Sequence, residues 1–269
     1  MFLLITLYVF FLGLAFGSFA LAMVDRMKAK KDWVKGRSQC DSCKHTLKPL
    51  DLIPVFSWLS TKGKCRYCSV KLSFAYPLVE LLGGLVFVLS YIFYPYELSG
   101  LNFVLIGLWY LALVIMMALV VFDIRWYLLP NKLVYPLTAV AFVHRIIFMI
   151  NNDVISFSYL LNLGLTLFIS CGVFYLLHIV SSGKWIGDGD VRLGVAMGLF
   201  LNGPVEAWLA IFIASIIGVI IGVIMMINSS KKTLSMKLPY GPMLMAGLII
   251  SYLFSSGLID WYSKTFLFL

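Results

Sequence analysis

The chain of 269 residues is 62% hydrophobic and 12% charged, with a mean hydropathy of +0.98. That balance excludes an ordinary soluble globular domain and indicates an all-α polytopic membrane protein. The formal charge of +9 does not point to a nucleic-acid partner, because the basic residues gather in alternate loops, which is a topology pattern.

Residues 2 to 24 carry no charge and form the first expected span. A cleaved signal peptide fits poorly, although Ala15-Phe16-Gly17 and Ala20-Leu21-Ala22 offer small residues: the first charged residue is Asp25, and positive charge follows the helix. Further spans are expected over 101 to 122, 155 to 187 (interrupted by His178 and Lys184), 207 to 227 and 238 to 259. Each is long enough for the roughly 20 residues that a crossing needs. Residues 81 to 96, 133 to 150 and 193 to 205 are less clean, which brings the expectation to about eight helices. The sixth is the shortest, broken near Asn202-Gly203-Pro204.

Twelve of the 21 basic residues fall between Arg26 and Lys71. Retention of positive loops inside the cell therefore places this loop in the cytoplasm, with Arg125, Lys132, Lys184, Arg192, Lys231, Lys232 and Lys237 on the same side. Arg145 and Lys264 fall outside, and both chain ends are expected outside. His144 and Arg145, near the outer end of the fourth helix, read as interface anchors, while Asp25 and Arg26 mark the inner end of the first.

The resulting domain plan is a first span at 1 to 25, a cytoplasmic loop at 26 to 75 and a seven-helix membrane domain at 76 to 269. The loop carries Cys40-Asp41-Ser42-Cys43 and Cys65-Arg66-Tyr67-Cys68. Two such knuckles supply four thiolates, Cys40, Cys43, Cys65 and Cys68, to one tetrahedral zinc. A pair of disulfides is the competing reading, and a reducing compartment weighs against it. A structural zinc also explains how so short a segment folds, since about 50 residues bury too little apolar surface alone. His45 is a conceivable ligand, but four cysteines complete the shell; Cys171, in the fifth apolar segment, reads as a packing residue.

Two acids lie where apolar stretches end. Asp123 closes the span over 101 to 122, and Asp190 ends the turn Gly187-Asp188-Gly189-Asp190. An ionisable group at membrane depth is costly and marks a functional site. Two carboxylates brought together share a proton and activate a water. Asp123 at a helix C-terminus should be the more readily protonated and Asp190 at a helix N-terminus the more readily ionised. Glu80 reads as structural, pairing with a basic residue in the bundle.

With these features in place, the chain resembles the type IV prepilin peptidases, membrane aspartic proteases of the Gly-x-Gly-Asp class. The resemblance covers nearly the whole length. It runs from Gly13 to Phe19, through Arg37-Ser38-Gln39-Cys40 and Gly63-Lys64-Cys65-Arg66-Tyr67-Cys68, to Tyr76-Pro77-Leu78-Val79-Glu80. It continues with Asp123 through Pro130, Gly187 through Leu193, and Pro239-Tyr240-Gly241-Pro242. It implies Asp123 and Asp190 as catalytic residues. Asp188 departs from the family pattern as an acid added in the variable position of the motif, and reads as an auxiliary acid that tunes charge or faces water, with substitution for Asp190 as the alternative. Arg192 stands where the family usually has Lys.

The resemblance further implies a multi-pass enzyme of the bacterial cytoplasmic membrane that removes the short basic leader of prepilin or pseudopilin precursors at the cytoplasmic face. Such enzymes serve type IV pili, secretion or competence. Many relatives also methylate the new N-terminus with S-adenosylmethionine, and the cysteine loop is linked to that activity, with Gly63 and Lys64 as the residues implicated. No Gly-x-Gly-x-x-Gly nucleotide fingerprint occurs in the loop. A methyl-donor site would lie on the zinc loop or at its junction with the membrane.

The alternatives are a leader peptidase without methylation, a metal transporter with a cysteine loading loop, a preflagellin-type or presenilin-like protease, and a zinc-ribbon assembly module. Acids at helix ends rather than mid-span disfavour a transporter, the cysteine insertion disfavours the other proteases, and paired acids would be superfluous in an assembly module.

Overall fold

The computed structural model describes residues 1–32, 36–228 and 238–267. The expected inside-facing Lys231, Lys232 and Lys237 lie outside the described residues. The chain order is α1 (Phe2–Lys28), a short 3₁₀ turn (Pro49–Leu52), α2 (Phe56–Ser60), α3 (Ala75–Ile92), α4 (Asn102–Trp126), α5 (Asn131–Asn151), α6 (Phe157–Leu167), α7 (Val173–Val180), α8 (Asp188–Phe200), α9 (Pro204–Asn228) and α10 (Gly241–Tyr262). One π turn, Phe168–Gly172, joins α6 to α7, and another, Ser263–Leu267, follows α10. Among the described residues, seven helices are long and apolar enough to cross a membrane, with α6 and α7 together making one. The protein is a multi-pass helical membrane protein. In the region of the sixth expected span lies α8, whose 13 residues rise only about 20 Å, short of the ~30 Å hydrocarbon layer.

The described chain forms two compact units. The first comprises 1–94 with 113–121, the middle of α4; the second comprises 95–112 and 122–269. In the first, α1 and α3 meet through glycines. A methyl group added to Gly13 would come within 2.6 Å of the Gly83 carbonyl oxygen, and one added to Gly17 within 2.9 Å of the Glu80 Cα. Small residues let membrane helices approach backbone to backbone, where van der Waals packing replaces the missing hydrophobic drive.

In the second unit, Trp109 of α4 is fully buried, stacked at 4.0 Å on Tyr252 of α10 and edge-on to Phe200 of α8. His144 Nε2 lies 3.1 Å from the Tyr252 hydroxyl. His144 and Arg145 are each 2% exposed, so neither is an interface anchor. Arg145 donates to the Leu199 carbonyl at 2.8 Å, to the Leu201 carbonyl and to the Tyr159 hydroxyl. Its guanidinium thereby satisfies carbonyls at the C-terminus of α8, where a helix leaves acceptors without partners and favours a cation. The pattern of apolar residues hid this, because a charge near a helix end reads as exposed unless its partners are known.

Candidate active site

Asp123 opens the last turn of α4, a helix closed by Tyr127 in the left-handed conformation, whose N–H donates to the Asp123 carbonyl at 2.8 Å. Its side chain is 6% exposed and accepts the Gly241 backbone N–H at 3.0 Å. Gly241 is the first residue of α10, with Pro242 next to it. Such a start leaves backbone N–H groups without intrahelical partners, and one of them serves Asp123. A β-carbon at position 241 would come within 2.7 Å of Asp123 Oδ2, so glycine lets this backbone approach the carboxylate closely. The sequence shows the Pro239-Tyr240-Gly241-Pro242 motif but not its partner. A glycine beside proline at a helix start was the available signal.

Asp190 is the third residue of α8 and reaches back to the N-cap, where the Gly187 N–H hydrogen-bonds its carboxylate. This is half of a capping box. Leu129, in the turn between α4 and α5, connects the two acid-bearing segments. Its side chain would be 3.0 Å from a β-carbon at Gly189 and 3.2 Å from one at Gly241. The Asp123 charge also acts on Asp190. Burial first, and then the Asp123 charge, push the Asp190 carboxyl up to about 6 against the pull of the Gly187 hydrogen bond. A helix N-terminus alone would favour ionisation; here desolvation and a like charge outweigh it. Asp188 is exposed and is engaged by Arg192, which also donates to Asn131. The structure thus brings Asp123 and Asp190 together and ties Asp188 to Arg192.

In the first unit the two knuckles are built alike. Residues 38–47 and 63–72 each carry an isolated antiparallel bridge, Gln39 with Thr46 and Lys64 with Lys71. Cys40 N–H donates to the His45 carbonyl at 3.0 Å and Cys65 N–H to the Val70 carbonyl at 2.8 Å. Lys44 and Ser69 both turn through φ 58°. The thiol sulfurs of Cys40, Cys43, Cys65 and Cys68 lie within 4.8 Å of one another, with Cys40 and Cys68 at 3.8 Å. All four are free of disulfides. Tetrahedral zinc with bonds of ~2.3 Å sets its sulfurs ~3.8 Å apart, so the cluster fits a metal ion. The Cys43 backbone chiefly lowers Cys40 to about 7. At Cys68 the Val70 backbone pulls down, but burial and the neighbouring sulfurs together push it up to about 11. His45 stands outside the cluster, its ring 3.7 Å from that of Tyr67.

Asp51 braces the second knuckle, accepting from Arg66 at 2.8 Å and Tyr67 at 2.9 Å. Gly63 turns through φ 69°, and a β-carbon there would meet the Trp58 ring at 2.8 Å. Lys64 lines a cavity of about 490 Å³ together with Arg26, Trp58, Tyr76 and Glu80. Glu80, expected to pair with a basic residue, instead accepts the Val55 N–H at 2.7 Å and a hydrogen bond from Ser18.

A multi-pass helical membrane protein with a carboxylate pair, Asp123 buried and Asp190 half-buried, and a four-thiol knuckle cluster is the class that fold and site define. The bacterial peptidase A24 N-terminal domain matches residues 11–94, and the type IV leader peptidase family matches residues 110–227. The chain is 32% identical over 215 residues to the type 4 prepilin-like proteins leader peptide-processing enzyme of Escherichia coli O78:H11, covering 78% of this chain and 73% of that protein. It is 29% identical over 256 residues to the prepilin leader peptidase/N-methyltransferase of Bacillus subtilis, covering 95% and 96%. The corresponding Vibrio cholerae protein is 28% identical over 200 residues, covering 71% and 75%. No solved structure matches significantly. The chain belongs to the type IV leader peptidase family and is an enzyme of that class.

Proposed function

We propose that this enzyme sits in a bacterial cytoplasmic membrane, cleaves the basic leader from type IV prepilin-like precursors and methylates the new N-terminus. The pairing of Asp123 with Asp190, whose carboxyl the Asp123 charge helps to raise, carries the peptidase reading. Within the pair, the ionised carboxylate takes a proton from water as the water oxygen attacks the scissile carbonyl. The protonated partner gives its proton to the departing amine as the C–N bond breaks. Gly241 N–H holds Asp123 and Gly187 N–H holds Asp190 during the exchange. Asp188, engaged by Arg192, stays outside the proton exchange. The basic loop between Arg26 and Lys71 supports a cytoplasmic active face with both termini outside.

The knuckle cluster holds a structural zinc through Cys40, Cys43, Cys65 and Cys68. The adjoining cavity would hold S-adenosylmethionine, which would supply a methyl group to the freed amine, leaving S-adenosylhomocysteine and a released proton. Its volume of about 490 Å³ lies in the usual range for small-molecule sites. Lys64 on its wall and Gly63, closely packed on Trp58, shape that side of it.

Co-expression of a prepilin-like precursor with the wild type and with Asp123→Asn, Asp190→Asn and Asp188→Asn tests the assignment by loss of the leader. Cleavage disappears in the first two and persists within a few-fold in the third. Processing by both Asp123→Asn and Asp190→Asn would end the aspartic-protease reading.

A further inference from the structure

Glu80 is 6% exposed, lies on α3 and borders the loop cavity. Its hydrogen-bond donors are both neutral, the Val55 N–H at 2.7 Å and Ser18. No lysine or arginine forms an ion pair with it among the described residues. A buried carboxylate is costly without a countercharge, and the donors present supply none. A cation entering the cavity would supply it. We propose that Glu80 is the counter-anion for the cationic part of the methyl donor, either its sulfonium or its α-ammonium. This inference rests on the reading of the cavity as the donor site.

The geometry suits that role in a second way. Val55 turns through φ 62° at the start of α2 and presents its N–H to Glu80. The carboxylate is thereby fixed between the zinc loop and the membrane helices α1 and α3, on the wall of the cavity rather than free in it. A held carboxylate loses little side-chain freedom when it meets a ligand, so the charge pairing is not spent on ordering.

The test is equilibrium binding of S-adenosylmethionine and S-adenosylhomocysteine to the purified full-length protein. Glu80→Gln keeps an oxygen for the Val55 N–H but removes the charge. It should weaken S-adenosylmethionine roughly 10- to 100-fold, the value of a hydrogen bond to a charged group. Zinc content and leader cleavage should be unchanged. Equal weakening of S-adenosylhomocysteine assigns the α-ammonium, and unaltered binding of it assigns the sulfonium. Binding of S-adenosylmethionine by Glu80→Gln within about twofold of wild type would overturn the proposal while leaving the cavity reading intact. If wild type binds no donor at all, both fall. Should Glu80→Gln lose its zinc, wild type decides by comparison of S-adenosylmethionine with S-adenosylhomocysteine and the N-acetylated donor. At least about tenfold weaker binding of either supports a cation seat, and equal affinity for all three overturns it.

Discussion

A single methyl group at position 241 would press within 2.7 Å of Asp123 Oδ2 and break the Gly241 hydrogen bond to that carboxylate. Gly241→Ala is therefore expected to lower leader cleavage by about 100-fold, on the scale of losing one placed hydrogen-bond donor. Precursor binding and the amount of folded protein should change little, which steady-state kinetics in detergent would check. The acid pair carries a pH signature as well. Asp190 is raised to about 6 by burial first and by Asp123 second. In Asp123→Asn its ionisation should move below 6 yet stay above the ordinary carboxylate value, because the larger cause remains. Carbon-13 NMR of labelled aspartate follows this directly, and an unmoved midpoint would mean that the two acids do not interact. The positions of Asp123 and Asp190 at the ends of apolar stretches were readable from sequence, as was the glycine turn. That Gly241 serves Asp123 was not, since a backbone N–H meeting a side chain 118 residues away leaves no mark in composition or periodicity.

Among the elements, α8 depends most on its two ends. Its 13 residues are too few to be held by length across the apolar layer, so its C-terminus leans on Arg145 and its N-terminus forms the acid turn. Arg145→Met would leave the Leu199 and Leu201 carbonyls without their guanidinium donor, at about 1–3 kcal/mol for each buried group. The expected result is a clear fall in thermal midpoint, measured by unfolding in detergent. The knuckles present the opposite case of legibility. Two Cys-x-x-Cys pairs predicted a metal cluster by spacing alone, because their geometry is local: within each repeat, 38–47 and 63–72, the bridges and turns join residues close in sequence. Arg145 illustrates what local pattern misses, a charge that pattern assigns to a surface but that tertiary acceptors bury.

For the whole molecule, the chemistry is distributed over two compact units, the thiol cluster and cavity in one and the carboxylate pair in the other. Removal of zinc by a strong chelator is expected to abolish methylation of the processed chain while cleavage survives at half or more of its rate, an order-of-magnitude expectation from the coupling of metal binding to folding of the loop. Mass measurement of the mature N-terminus beside a cleavage assay would separate the two. Parallel loss of both activities would show that the zinc loop also supports the peptidase. The overall class was evident from hydropathy. The grouping of the middle of α4 with the first unit was not, because the apolar run over 101 to 122 gives no sign of where packing partners change.

The near-identical knuckles also bear on how the chain enters the membrane. They fall between α1 and α3, and each closes through neighbours in sequence. A metal held by all four thiols would bridge Cys43 and Cys65, drawing the exit of the first helix toward the start of the next before either must find its glycine-lined partner. On that basis α1 and α3 should insert as a preassembled hairpin during synthesis. Translation-arrested chains extended past Ile92 far enough for α3 and the cysteine loop to clear the ribosome should already protect their cysteines from alkylation when zinc is supplied, and unprotected cysteines at that length would place metal capture after insertion.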